Sequence, residues 1–220
     1  MKTLRFLALL AVTFGLLQTV PAAAAAKASP PTASAPAKAA MATAAETVVE
    51  NFYTHLTAVM KKGPQLGFAG RYKALAPAIR ATFDLPLMTR FAVGPVWFKA
   101  TPDQQQQLVS AFSDFSVATY ASRFTTYDGE KFTVLDQKPA AGGGVIVETK
   151  LIPKGDAPVA LNYLMKPDAK GQWRIVDVFL DGSISELATR RAEFTSIVDR
   201  DGIKALVTKL GEKSKEMGPS

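Results

Sequence analysis

The chain of 220 residues carries 26 Lys and Arg against 19 Asp and Glu, one His and no Cys, for a formal charge of +7 at pH 7. That inventory excludes zinc sites built from Cys and several His, cysteine nucleophiles and any disulfide framework. The charge is dispersed, with no block of five like charges, so it predicts a solvated surface suited to an anionic membrane or an acidic partner more than to nucleic acid.

Residues 1–26 open with Lys2 and Arg5, continue through "FLALLAVTFGLL" and finish in "VPAAAAA". Basic start, apolar run and small-residue end are the order of a cleavable secretory signal, with cleavage expected at Ala26. The run is shorter than the roughly 20 residues that span a bilayer, and no second run follows, so a soluble mature protein is expected. Residues 27–44, "KASPPTASAPAKAAMATA", hold Met41 as their one bulky apolar side chain and are expected to form a disordered Ala/Pro-rich linker. The remaining length, about 175 residues, is enough for one domain that buries roughly 70% of its unfolded surface.

In residues 45–62, Val48, Val49, Phe52, Leu56, Val59 and Met60 recur at helical spacing, and Gly63-Pro64 is a stop signal. A second helical pattern over 70–84 contains Pro77, which predicts a kink or break. The stretch "FDLPLMTRFAVGPVWF" (83–98) is strongly apolar but interrupted by Pro86, Gly94 and Pro95, too broken for one regular core helix. Residues 101–129 give the clearest helix. Thr101 and Gln104 form a capping box, Pro102 suits the first turn, Leu108, Phe112, Phe115 and Thr119 make a stripe, and Asp128-Gly129 marks the end.

From Lys131 the period changes to 2. "KFTVLDQ", "GVIVETKLI", "PVALNYLMK" and "QWRIVDVFL" are four strand-length runs joined by turn compositions, which predicts an antiparallel meander. Val145, Val147, Thr149 and Leu151 alternate with a mixed face. The last run is apolar on both faces, Trp173, Ile175 and Phe179 against Val176, Val178 and Leu180, and is expected inside the sheet. Helix returns at 183, with Ser183 and Glu186 as a second capping box and Asp201-Gly202 as a break. The expected fold is α+β: one domain over 45–215, helical over 45–129 and 183–215, with a four-stranded antiparallel sheet over 130–181.

Catalytic material is sparse. His55 sits mid-helix, no G-x-S-x-G elbow exists, and the glycine run at 141–145 lacks the Lys and Ser/Thr of a phosphate loop. A small-molecule enzyme that uses a strand carboxylate, Asp136, Glu148 or above all Asp177, is the alternative reading, although water-facing structural carboxylates are commoner. The feature in excess is aromatic and aliphatic surface, with 13 Phe, 5 Tyr and 2 Trp. An ordinary core and a binding cavity are both compatible with it.

Two stretches, "TFDLPLMTRFAVGPVWFKATPDQQQQLVSAFSDFSVATYASRF" and "WRIVDVFLDGSISELATRRAEFTSIVDRDGIKALVTKL", resemble the MlaC (toluene-tolerance) family of periplasmic phospholipid carriers, over about 45–210. Within it, "SELATRRAEF" and the Ala/Pro-rich leader look more like the hopanoid-associated HpnM branch. The resemblance implies a non-enzymatic lipid carrier with a curved, nuclear-transport-factor-like cup packed with helices around an apolar lipid cavity. It implies no cofactor other than the bound lipid, phospholipid or hopanoid, as cargo. The implied partners are an inner-membrane ABC-type lipid transporter, an outer-membrane lipoprotein complex and a transiently contacted membrane surface. Carried over to this chain, the candidate pocket lining is Phe83, Leu87, Met88, Phe91, Val96, Trp97, Phe112, Phe115, Val147, Tyr163, Ile175 and Phe194. Arg71, Lys73, Arg80, Arg90 and Lys99 are candidates to meet lipid phosphates near the mouth.

Overall fold

A computed structural model describes residues 35–218. The expected signal segment and the first part of the expected linker lie outside the described residues. The elements are α1 (Ala35–Lys61), α2 (Gly63–Thr82), α3 (Leu85–Val93), a 3-10 turn (Gly94–Lys99), α4 (Pro102–Arg123), β1 (Lys131–Pro139), β2 (Val145–Ile152), β3 (Val159–Pro167), β4 (Trp173–Leu180), β5 (Ile184–Ser185) and α5 (Glu186–Glu216). Helices and strands are segregated along the chain, as the change of period predicts.

Helix α1 starts ten residues ahead of the expected boundary, inside the segment expected to be a linker. The physical reason is composition: "APAKAAMATA" is dominated by Ala, the best helix former, and Pro36 is tolerated in a first turn. Gly63-Pro64 does end α1, but it also starts α2 after a single residue. The break expected at Pro77 falls at Gly67 instead, where φ is 61°, a conformation open to glycine and strained for other residues. The Thr101/Gln104 capping box is formed on both sides. Helix α4 stops at Arg123, before Asp128-Gly129, where the β-branched Thr125 and Thr126 give poor helix propensity.

The sheet is an antiparallel meander in the order β1-β2-β3-β4-β5, with one more strand than expected. The extra strand consists of Ile184 and Ser185, paired with Leu180 and Phe179. That pairing moves the cap of α5 from the expected Ser183 to Ser185, whose hydroxyl accepts from the Ala188 N–H at 2.8 Å. Helix α5 is interrupted at Gly202, as Asp201-Gly202 predicts. On its outer edge β4 meets β5 at one end. At the other, the Asp84 N–H donates to the Ile175 carbonyl at 2.9 Å, so the α2–α3 junction covers the rest. Helices α1, α2, α3 and α5 all pack against β4, which accounts for a strand with apolar residues on both faces.

Register corrects the expected faces of β4. Leu161, Tyr163, Met165 and Pro167 stand opposite Leu180, Val178, Ile175 and Trp173, and a bulge at Val176 lies between. Opposite residues share a face, so Val178 and Leu180 join Trp173 and Ile175 on the concave side, and Phe179 does not. A second bulge, at Leu135 of β1, adds curvature. Helix α1 fills the β1–β2 half of the concave face, where the Tyr53 ring stacks on Phe132 at 4.7 Å. Helix α4 packs along α2, α3 and α5 but not closely on any strand. The space between α4 and the β3–β4 half of the concave face is where the site forms.

Candidate functional site

That space is a cleft of about 660 Å³, a size suited to a small-molecule or lipid ligand. Helix α4 supplies one wall through Phe112, Phe115, Ser116, Thr119, Tyr120 and Arg123. The concave sheet supplies the other through Leu151, Val159, Leu161, Tyr163, Val178 and Leu180. Ile79, Phe83 and Met88 close one side, and Glu186, Leu187 and Arg190 of the first turns of α5 stand at another.

Beside the sheet wall lies a cluster of buried hydroxyls, of which Tyr163 reaches the cleft. The Tyr53 hydroxyl lies 2.6 Å from Thr149 Oγ1 and donates to the Tyr163 hydroxyl at 3.1 Å, and Thr149 Oγ1 donates to the Leu161 carbonyl. Burial pushes Tyr53 up to about 12, outweighing its hydrogen bonds to Thr149 and Tyr163. Burial also raises Tyr163 and Tyr120, and Tyr120 keeps part of its ring on the cleft. All three hydroxyls stay neutral at physiological pH, so the two tyrosines that line the cleft, Tyr120 and Tyr163, bring no charge to it.

Charge enters through two arginines and one carboxylate, Glu186. The Arg190 guanidinium lies 5.0 Å over the Phe115 ring, 3.4 Å from Glu193 Oε2 and 3.7 Å from Glu186 Oε2. Burial opposes ionisation of Glu193, but Lys213 and Arg190 together hold it below the usual carboxylate range. Arg123, in the last turn of α4, is exposed and has no ion-pair partner among the described residues. A cleft with apolar walls, where Glu186 pairs with Arg190 and leaves Arg123 as the excess cation, suits an amphiphile with an anionic group better than a small polar substrate.

Of the twelve lining residues expected from sequence, Phe83, Met88, Phe112, Phe115 and Tyr163 lie on this cleft. The other seven do not. Val147, Ile175 and Phe194 are fully buried core, and Phe194 packs edge-on against Phe112 at 6.2 Å. Leu87 is half-buried on α3 away from the cleft, Val96 and Trp97 pack on the outside of the core, and Phe91 faces solvent. The broken apolar stretch therefore touches the cleft only through Phe83 and Met88.

None of the five expected phosphate-meeting cations lines it either. Arg71 is buried, donating from Nε to the Ala121 carbonyl at 2.8 Å and from Nη1 to the Gly63 carbonyl at 3.0 Å, which ties the α1–α2 corner to α4. Arg80 pairs with Asp114 at 2.9 Å, Arg90 stacks on Phe98, and Lys73 and Lys99 are exposed elsewhere.

The carboxylates of the enzyme reading stand outside the cleft. Asp177 is buried, accepting from Ser185 Oγ at 2.6 Å and from the Leu187 N–H at 3.1 Å, so it anchors the start of α5. Glu148 pairs with Lys138 at 2.7 Å, and Asp136 is exposed. His55 is exposed and its Nε2 lies 3.0 Å from the Ala74 carbonyl. No group of acids and His able to hold a metal occurs among the described residues.

Tyr120, Arg123, Leu161, Val178, Leu180 and Arg190 line the cleft but are not among the twelve lining residues expected from sequence. Tyr120 and Arg123 continue the Phe112/Phe115/Thr119 stripe by one turn and could have been read from it. Val178 and Leu180 could not, because the bulge at Val176 reverses the alternation that assigns them.

A family model described as "MlaC protein" matches residues 50–212. The solved structure of a phospholipid-binding protein from Ralstonia solanacearum, in complex with a phospholipid, is 25% identical to this chain. The match covers 79% of this chain and 98% of that one with a TM-score of 0.69. No curated protein matches.

Proposed function

We propose, because the chain belongs to the MlaC family, that it is a lipid carrier of the periplasm, loaded with one membrane lipid in the cleft between α4 and the concave sheet. The observation that carries this reading is that α4 stands off the sheet and leaves about 660 Å³ walled by aromatic and aliphatic side chains. The phospholipid bound by the Ralstonia solanacearum relative supports it. Burying a methylene is worth about 0.8 kcal/mol, so ten of them hold a lipid by roughly 8 kcal/mol, a partition on the order of a million to one. No lipid crosses water at a useful rate without such cover.

In this reading residues 1–26 direct export and are removed, and the domain shuttles between the inner and outer membranes. It receives and delivers cargo through an ABC-type transporter on one side and an outer-membrane lipoprotein complex on the other. Phe83, Met88, Phe112, Phe115 and Tyr163 contact the cargo, together with Leu161, Val178 and Leu180. The cargo is a phospholipid or, if the HpnM-like features of "SELATRRAEF" define the branch, a fused-ring hopanoid. Both need an apolar cleft.

The test is native mass spectrometry with organic extraction of the mature protein purified without detergent from its own host. A bound mass that releases phospholipid or hopanoid is expected and names the cargo. A protein that is lipid-free and stays so after incubation with vesicles of either lipid overturns the reading.

A further inference from the structure

We propose that the segment from α3 into the 3-10 turn is a docking surface for an anionic lipid bilayer, with Phe91 and Phe98 entering the interface and Arg90 and Lys99 meeting lipid phosphates. Between Asp84 and Asp103 the chain holds no carboxylate side chain. Phe91 is 48% and Phe98 71% exposed, two of the four large apolar side chains among the described residues that face solvent to this extent. They lie within eight residues of each other on one folded unit.

The unit is rigid. Leu85, Met88, Ala92 and Val93 bury the inner side of α3 against α4, α5 and β4. Gly94, at φ 72°, turns the chain, and Gln105 Nε2 donates to the Trp97 carbonyl at 3.0 Å to fix the turn that follows. This reversal brings Phe98 back under Arg90, whose guanidinium lies 4.9 Å from the ring. A third exposed cation backs the turn: a Cβ added at Gly94 would stand 3.2 Å from Arg191 Nε.

Two rings held outward by a packed helix, ringed by cations and free of acids in their own segment, match the layered chemistry of a bilayer surface. There, apolar interface and anionic phosphate lie a few ångströms apart. A protein partner would have to supply an apolar pocket and a matching acidic rim, and nothing in the chain's own surface selects for that pocket. The placement also matters for exchange: Phe83 and Met88, at the base of the same segment, line the cleft. Docking would set the cleft wall against the membrane that gives or takes the lipid. This inference deepens the carrier reading and rests on it for that last step alone.

The experiment is flotation of the mature chain with vesicles of phosphatidylglycerol and phosphatidylcholine, and of phosphatidylcholine alone, at low and at physiological salt. Binding to the anionic vesicles is expected, weakened by salt and weakened about fivefold by each of Arg90→Gln and Lys99→Gln. Phe91→Ser with Phe98→Ser should reduce it at least tenfold, while the lipid mass carried in the cleft stays unchanged. Should the double variant fold poorly, Phe98→Ser alone carries the test, since that ring has the most solvent around it. Absent binding, or binding indifferent to the two rings, overturns the proposal and leaves the patch to a protein partner. Ring-dependent vesicle binding by a chain that holds no lipid supports the docking surface while removing the carrier reading.

Discussion

The guanidinium of Arg190 lies over the face of Phe115 at 5.0 Å, and this pair joins the first turns of α5 to the α4 wall of the cleft. Glu186 and Glu193 hold the cation in place from its own helix, one turn to either side. Arg190→Ala removes the ring contact and leaves Glu186 beside the apolar cleft without its cation, while Glu193 keeps Lys213. A stability loss of about 1 kcal/mol is expected, from the cation–π term plus lost packing. Exchange of a fluorescent lipid should also become several-fold faster, and Arg190→Lys should restore little of either because the ammonium is not planar. Thermal unfolding and lipid-exchange kinetics measure the two effects separately.

Filling the cleft offers the most direct check of where cargo sits. Val178 projects from the concave face into the space below α4, so Val178→Trp has room for its ring without displacing a neighbour. The variant should keep its fold, with unfolding within about 1.5 kcal/mol of the parent, yet emerge without bound lipid in native mass spectrometry. The same substitution at Val147, fully buried, should overpack the core and cost about 3 kcal/mol or prevent folding. Equal behaviour at the two positions would place the cargo elsewhere.

How far the cleft was legible from residues alone follows from this contrast. The change of hydrophobic period at Lys131, the Thr101/Gln104 box and the turn compositions are local signals, and they placed α4 and strands β1 to β4 to within a few residues. Cavity and core are not local properties. Phe112 and Phe194 touch each other, yet only Phe112 reaches the cleft, because α4 stands off the sheet by an amount that depends on α2, α3 and α5 together. Bulges at Leu135 and Val176 reverse alternation without any Gly or Pro to announce them. Arg71 reads as a surface cation and is instead a buried clamp, since the carbonyls it satisfies come from residues 8 and 50 positions away.

That clamp makes its own prediction. A Cβ at Gly63 would stand 1.9 Å from the Thr125 carbonyl oxygen, so the α1–α2 corner and the end of α4 touch backbone to backbone. Arg71→Met keeps the apolar stem but leaves the Gly63 and Ala121 carbonyls without their donor, for an expected loss of about 2 kcal/mol. Gly63→Ala should cost about 3 kcal/mol through the clash. Lipid occupancy at a temperature where both variants are folded should be unchanged, because neither residue lines the cleft; chemical denaturation gives the energies.

Arg123 should behave in the opposite way. It is exposed and without an ion-pair partner among the described residues, so Arg123→Gln should alter stability by less than about 0.5 kcal/mol. If it meets the cargo's phosphate, the variant should retain phospholipid about tenfold less well and a neutral lipid equally well, since a charge-assisted contact is worth about 1.5 kcal/mol or more. Competition between the two lipid classes, read by extraction, decides it; equal loss of both would assign Arg123 a packing role.

The titrating groups set a stability plateau with two edges. Glu193 is held below its ordinary 4.5 in the folded chain, so it binds its proton less tightly than in the unfolded chain. Its contribution is present above about pH 4.5 and fades as pH falls through the depressed folded value. At the other edge burial raises Tyr53 from 10.0 to about 12, and Tyr163 also titrates well above its ordinary value. Between pH 10 and about 12 the unfolded chain loses these protons while the folded chain keeps them, so stability should fall with rising pH across that interval. Thermal unfolding from pH 3 to 12 should therefore show a flat centre, an acid limb that Glu193→Gln flattens, and an alkaline limb that Tyr53→Phe flattens. The Tyr53 variant should also lose about 1 kcal/mol at neutral pH, where Thr149 and Tyr163 are left without their shared partner. An alkaline limb unmoved by that substitution would mean that the hydroxyl cluster is wetter than its burial implies.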